Sequence, residues 1–374
     1  MSIFDDKTTY SLARLHEPLL AWYDTCKREI PWRGASSSYF VWVSEIMLQQ
    51  TRVEAVRAYF LRFTAALPTL QHLAECDEQT LLKLWEGLGY YNRVRNMQKA
   101  AKIVMEQYGG ELPRSYELLL TLPGIGEYTA GAIASIAYNI PVPCVDGNVM
   151  RVLSRVTANS ADITLSSVKK DYQVLAQSMI PMDDSSNSPA LQDRSSPRAG
   201  DFNQSLMELG ATVCVPNGAP LCDVCPIQTQ CKAFLSGNPQ HYPVKTAKTA
   251  RKIEKKTIVI LMYGDQVLLQ KRPNSGLLAG LWEFWSMDGW LNRDELTNAL
   301  MEQGIFANAI HSLKKAKHIF SHIEWQMQGY LVYLEKLSTI GGGEWVKLTD
   351  LRENYALPSA LKAYSKELER WVLP

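Results

Sequence analysis

The sequence carries little net charge: 39 Lys plus Arg stand against 38 Asp plus Glu, leaving +1 at neutral pH. Bulk charge therefore gives no sign of a nucleic-acid partner, which usually shows as a strong basic excess, so any such case must rest on local features. No apolar run is long enough to span a bilayer, and residues 1–15 mix acids, bases and polar groups without the apolar core of a signal peptide. The expectation is a soluble cytoplasmic protein, with no membrane partner and a plain N-terminus of bacterial type. A disulfide framework is also missing, since the seven cysteines are odd in number and four crowd into one short segment. That clustering points to metal in a reducing compartment. Cys26, Cys76 and Cys144 are scattered and read as packing residues. No internal repeat is found.

What is present exceeds one core. At 374 residues the natural expectation is two domains. From residue 11 to about 180 the pattern reads as successive amphipathic helices, at 12–22, 40–63, 80–88 and 94–108, with no long strand. Residues 183–200, DDSSNSPALQDRSSPRAG, hold too little apolar material to join a core and read as a flexible insertion. Helical patterning resumes at 201–214, followed by the cysteine segment. Residues 237–256, with Pro239, Pro243 and a basic run from Lys245, read as a linker. The texture then changes: residues 257–271 form a hairpin about Gly264-Asp265, with a helix at 293–303, strands at 318–325 and 329–334, and a closing helix at 359–371. The expected domains are a helical region over 1–236, with the cysteine loop at 214–231, the linker, and an α+β domain over 257–374.

Cys214, Cys222, Cys225 and Cys231, spaced C-x7-C-x2-C-x5-C, supply four thiolates within one compact loop, as an iron–sulfur cubane requires. A four-cysteine zinc site is the alternative, although it normally shows two C-x2-C pairs where this chain has one. Leu122-Pro123-Gly124-Ile125-Gly126 precedes a small-residue helix at 127–138. Gly124 and Gly126 let backbone amides approach a phosphate closely, the helix-hairpin-helix reading, against an ordinary tight turn. Glu45 lies in the apolar stretch VWVSEIMLQQT, where lost hydration raises a carboxyl's pKa and fits it to donate a proton. Asp146 sits where a polar turn opens a helix. Taken singly, the two acids also read as a salt-bridged helix residue and a helix N-cap.

These segments bring a family into view. PWR at 31–33, SEIMLQQTRV at 44–53, GLGYYNRVRNM at 87–97, LPGIGEYTAGAI, VDGNVMRVLSR, FNQSLMELGA and the cysteine loop, in this order across residues 10–235, resemble the adenine DNA glycosylases of the MutY type. The resemblance implies a helix-hairpin-helix glycosylase, a six-helix part plus an iron–sulfur part, holding a [4Fe–4S] cluster on the four cysteines. Its substrate would be duplex DNA with adenine opposite 8-oxoguanine or guanine, bound as a monomer. Endonuclease III-like relatives also cut the backbone, with a lysine where this chain has Tyr128, so the resemblance implies a monofunctional enzyme that leaves an abasic site. It further implies that adenine is flipped out and protonated by Glu45, with Asp146 stabilising the oxocarbenium-like sugar. Tyr128 and Asn148 support that pair, Arg33 lines the adenine pocket, and Leu48, Gln50, Thr51 and Tyr90 enter the duplex. Leu48 in a core and Tyr90 in packing are the plainer alternatives.

Residues 257–374 look like the Nudix-related module of such glycosylases. The stretch NRDELTNALMEQGI lacks the full set of acids that holds magnesium in a working Nudix hydrolase. Phe320, Ser321 and His322 match the segment that contacts 8-oxoguanine, with a hydroxyl and an imidazole for the altered base edge. Two features depart from the family: seven residues rather than six between the first two cysteines, and the 183–200 insertion. The competing readings are an endonuclease III-like glycosylase-lyase for oxidised pyrimidines, a non-catalytic iron–sulfur DNA-binding protein, and a free-nucleotide hydrolase. No docking peptide for a protein partner is evident.

Overall fold

In the computed structural model all residues are described except 1, 2, 6, 7, 9–11, 35, 36, 182–197, 247–249, 339–341, 373 and 374. The chain divides into two compact units, Met1–Glu75 with Asn96–Ala247, and Cys76–Arg95 with Lys248–Pro374. Among the described residues no helix is long and apolar enough to cross a membrane.

The first unit is helical. The Ser38–Leu48 helix, SYFVWVSEIML, is apolar on every side and buries Tyr39 through Met47 apart from Phe40. The expected single stretch over 40–63 is broken: a second helix starts only at Val53, after a turn in which Gln50 is left-handed, with φ 62°. Glutamine is a good helix former, so propensity hides this break. Similarly, the expected 127–138 helix is a Glu127–Ala132 α-helix followed by a π-helical turn, Ile133–Ala137. The Gly147–Thr157 helix is buried from Val149 to Val156, including Arg151 and Arg155, and the Ala199–Thr212 helix packs beside it. Most of the expected 183–200 insertion lies outside the described residues. Its end is corrected, because Ala199 and Gly200 are buried and already helical.

The second unit is a mixed sheet with helices on both faces. Its strands are β1 (Lys252–Tyr263), β2 (Gln266–Lys271), β3 (Trp282–Glu283), β4 (Trp285–Asp288), β5 (Ala307–Ile319), β6 (Ile323–Leu334) and β7 (Glu344–Lys347). Central β1 runs parallel to β6 and antiparallel to β2 and β4. Alternation along β1 sends Ile258, Ile260 and Met262 to a core with Leu361, Tyr364 and Leu368, and Val259 and Leu261 to one with Leu296 and Leu300. Two expectations are corrected. Lys252–Lys256, read as linker, already pair with β6, and residues 318–325, read as one strand, form the end of the β5–β6 hairpin, with Phe320–His322 at its tip.

Cys76–Arg95 joins this unit through specific bonds. Gln79 Nε2 donates to the Asn354 carbonyl at 3.0 Å, Lys83 Nζ to that of Tyr355 at 3.1 Å, and the Leu357 amide to Glu86 Oε1 at 2.9 Å.

Candidate active site

A cavity of about 670 Å³ in the first unit is lined by Arg33, Glu45, Leu48, Gln50, Thr51, Tyr128, Asp146 and Asn148, all expected from the sequence. Glu45 projects from the buried Ser38–Leu48 helix and is only 6 % exposed. Burial, seconded by the charge of Asp146, pushes its carboxyl up to about 7, against the Tyr128 hydroxyl, which donates to Oε2 at 2.5 Å. Burial also drives the Tyr128 phenol well above its ordinary value, so it stays a donor.

Asp146 is both a helix N-cap and a candidate catalytic acid. Its Oδ1 accepts the Asn148 and Val149 amides at 2.8 and 2.7 Å, and its Oδ2 accepts Asn148 Nδ2 at 2.8 Å. Burial raises its pKa, and these donors oppose the rise. Every one of these partners donates, so the site is built around the ionised carboxylate. Asn148 is itself oriented, because Arg151 donates to its Oδ1 at 2.8 Å and to the Gly210 and Cys214 carbonyls at 2.7 and 2.8 Å.

Gly210 permits this packing: a Cβ there would lie 2.8 Å from Asn148 Cβ and 3.3 Å from Asn148 backbone atoms. Gly210→Ala is therefore expected to shift Asn148, cost about 1–3 kcal/mol of stability, and slow the chemical step more than it weakens substrate binding. Denaturant unfolding beside single-turnover kinetics reads both effects.

Sequence reasoning missed Glu208, Arg28 and Arg151. Glu208 is 2 % exposed. It receives Arg28 Nε at 2.6 Å and Arg33 Nη2 at 2.9 Å. Burial works against its charge, but the two guanidinium groups more than offset this and hold its carboxyl below the ordinary range. The signal was available: a carboxylate within the apolar run SLMELGA poses the same question as Glu45 in SEIML.

Cys214, Cys222, Cys225 and Cys231 line one apolar-walled cavity in the same unit, and Arg155 Nη1 donates to Cys214 Sγ at 3.2 Å. Among the described residues no three Cys, His, Asp or Glu side chains converge as a single metal ion requires. Four thiols around one cavity are the donor set that a cluster takes, and burial pushes the Cys225 thiol up to about 12. The residues present fit a cluster.

Gly124 and Gly126, also in the first unit, are not among the residues that line the cavity. Gly124 has φ +78°, and a Cβ on it would meet Asn96 Cβ at 2.7 Å, whereas a Cβ on Gly126, the N-cap of the Glu127–Ala132 helix, would meet nothing within 4 Å. In the second unit Phe320 makes edge contacts with His318 and Trp325 at 4.6 and 5.0 Å between ring centroids, leaving Ser321 and His322 exposed. Tyr90, 51 % exposed with φ 48°, meets Ser321 hydroxyl to hydroxyl at 3.1 Å. In the Arg293–Glu302 helix, Glu295 Oε2 accepts the Asn292 amide at 2.7 Å in a capping box, so this acid serves the fold.

A model of the HhH-GPD superfamily base excision DNA repair proteins matches residues 43–177, and a NUDIX domain model matches residues 257–367. The rat adenine DNA glycosylase is 37 % identical, over 92 % of this chain and 76 % of its own length. That of Schizosaccharomyces pombe is 31 % identical, over 97 % and 91 %. The chain belongs to the adenine DNA glycosylase family. A solved thermostable thymine-DNA glycosylase is 25 % identical with a TM-score of 0.53, over 62 % of this chain and 100 % of its own. Within the adenine DNA glycosylase family, this chain brings its buried acid, its capped carboxylate and its tyrosine into one cavity.

Proposed function

We propose that the protein hydrolyses the N-glycosidic bond of adenine paired with 8-oxoguanine in duplex DNA and leaves the abasic strand uncut. The observation that carries this reading is the protonatable Glu45 and the hydrogen-bonded Asp146 in one cavity large enough for a flipped base. Glu45 gives its proton to adenine N7 as the C1′–N9 bond breaks. Asp146, oriented by Asn148, stabilises the positive sugar through its charge. Water then adds at C1′ and its proton returns to the Glu45 carboxylate. Tyr128 holds Glu45 in place, and Arg33, fixed by Glu208, faces the base. Among the described residues that line the cavity there is no lysine, which supports hydrolysis over imine chemistry at the sugar.

Gly124 and Gly126 would admit a phosphate to the backbone amides of the hairpin, and Leu48, Gln50, Thr51 and Tyr90 would fill the duplex around the displaced base. Cys214, Cys222, Cys225 and Cys231 would hold a [4Fe–4S] cluster, which when bound staples the loop and supplies no step of the hydrolysis.

Adenine release from a duplex bearing A·8-oxoguanine, with strand scission only after alkali, is the expected result. Scission without alkali, or a borohydride-trapped adduct, would move the chain to the lyases. Lesion reading is assigned to Ser321 and His322. The Ser321→Ala, His322→Ala double variant is expected to narrow the difference in Kd between A·8-oxoguanine and A·G duplexes by about tenfold, since a hydrogen-bonded base contact is worth roughly 1–3 kcal/mol. An undiminished difference would remove that role.

A further inference from the structure

The second unit carries a cationic site that lesion reading does not use. Trp290 is anchored by its indole N–H, which donates to the Gln326 carbonyl at 2.9 Å, yet 38 % of the residue stays exposed. Two ammonium groups converge on its ring, Lys255 from β1 with Nζ 4.8 Å from the centroid and Lys315 from β5 at 4.1 Å. Lys317, also exposed, pairs across the sheet with Gln326. Neighbouring lysines are neutralised: Lys252 by Glu254 at 3.0 Å and Lys256 by Asp288 at 2.5 Å. Among the described residues neither Lys255 nor Lys315 has a carboxylate at ion-pair distance, and the nearby Glu324 accepts from Gln326 Nε2 at 3.1 Å. Gathering like charges on one ring without a counter-ion is unfavourable alone and favourable when an anion arrives.

We infer that Lys255, Lys315 and Trp290, with Lys317 beside them, form a binding site for the phosphodiester backbone of the DNA strand whose altered base meets Ser321 and His322. The inference rests on the lesion-reading role proposed for that hairpin tip. Position supports it: the Lys317–Gln326 pair lies four residues along β6 from His322. At roughly 3.3 Å per residue this is about 13 Å, the rise of about four phosphates along one strand at roughly 3.4 Å each. A strand held at the tip would carry its phosphates past the two ammonium groups. The indole between them offers a flat apolar face to the sugar edge, and a protein partner has no comparable tie to the tip.

The test compares the full-length wild type with Lys255→Gln/Lys315→Gln, and with Lys315→Glu, by titrating fluorescent A·8-oxoguanine, A·G and matched duplexes from low to high salt. The double variant is expected to bind all three more weakly by a common factor and to flatten the slope of log K against log salt by about 2, near 0.9 for each phosphate no longer neutralised. Lys315→Glu should weaken binding further. Trimming the duplex to two base pairs beyond the lesion on one side should abolish the wild-type advantage, while trimming the other side should preserve it. An unchanged slope, or a deficit insensitive to trimming on either side, would overturn the proposal. If the lesion-reading role is what fails, wild type will bind A·8-oxoguanine and A·G alike while the slope difference persists, so the two failures are distinguishable.

Discussion

Glu45→Gln is expected to slow adenine release by about 10²–10⁴-fold while making the folded protein more stable at alkaline pH. The side chain loses its transferable proton but keeps an oxygen to accept the Tyr128 hydroxyl, so the cavity should hold its shape. The pH dependence has a definite sign. Glu45 acts in its protonated form with a pKa of about 7, so the wild-type single-turnover rate should be near its plateau about one unit below that value, halve at it, and fall about tenfold per unit well above it. At the acid end the rate should fall again as Asp146 takes up a proton.

Stability follows the same group. Its folded pKa of about 7 lies above the ordinary 4.5, so the favourable contribution of the buried neutral acid is fully present below pH 4.5 and is lost as pH rises to 7. That loss is about 3 kcal/mol in order of magnitude, and glutamine does not suffer it. Denaturant unfolding at pH 5 and pH 8 should show the variant's advantage at the higher pH far exceeding that at the lower. Equal differences at the two pH values would mean that Glu45 titrates like a solvated acid, and the argument for it as proton donor would fall.

Asp146→Asn should lower the rate by about 10²–10³-fold or more, and unlike the first variant it should also destabilise the protein. Asparagine keeps one acceptor, enough for the Asn148 and Val149 amides that now share Oδ1. Its amino group would then face Asn148 Nδ2, which now donates to Oδ2, and two donors would oppose each other. Flipping the Asn148 amide would relieve this, but Arg151 holds the Asn148 oxygen. The lost charge-assisted bond should cost about 1–3 kcal/mol. Unfolding midpoints and single-turnover rates, with Asp146→Glu as the charge-preserving control, check both parts. A stable variant of normal rate would show that the carboxylate stabilises no charge in the reaction.

Glu45 interrupts an apolar stretch and Asp146 precedes a helix, but singly each also reads as an ordinary helix residue or N-cap. The resemblance to a family is what pairs them. Glu208 presented the same contradiction inside SLMELGA, but its resolution, two arginines about 175–180 residues away in the chain, needed the fold. The same holds for Tyr90 and Ser321, 231 residues apart. β5 was illegible for another reason. In ANAIHSLKKAKHI the lysines mask the alternation, and a register irregularity between Leu313 and Ala316 shifts its phase. Gln50 in its left-handed turn shows the limit of propensity, since nothing in the letters QQT announces a break.

The polypeptide enters the second unit twice, first with Cys76–Arg95 and again from Lys248. On the ribosome these visits are separated in time. At a synthesis rate of about 5–20 residues per second the first segment waits roughly 8–30 s for its partners. During that interval Gln79, Lys83 and Glu86 have not met Asn354, Tyr355 and Leu357, to which they are hydrogen-bonded in the finished unit. Stopping translation after residue 247 would make the wait permanent. A shortened catalytic fragment should therefore hold its 76–95 segment less firmly, and supplying residues 248–374 as a separate chain should protect that segment from proteolysis.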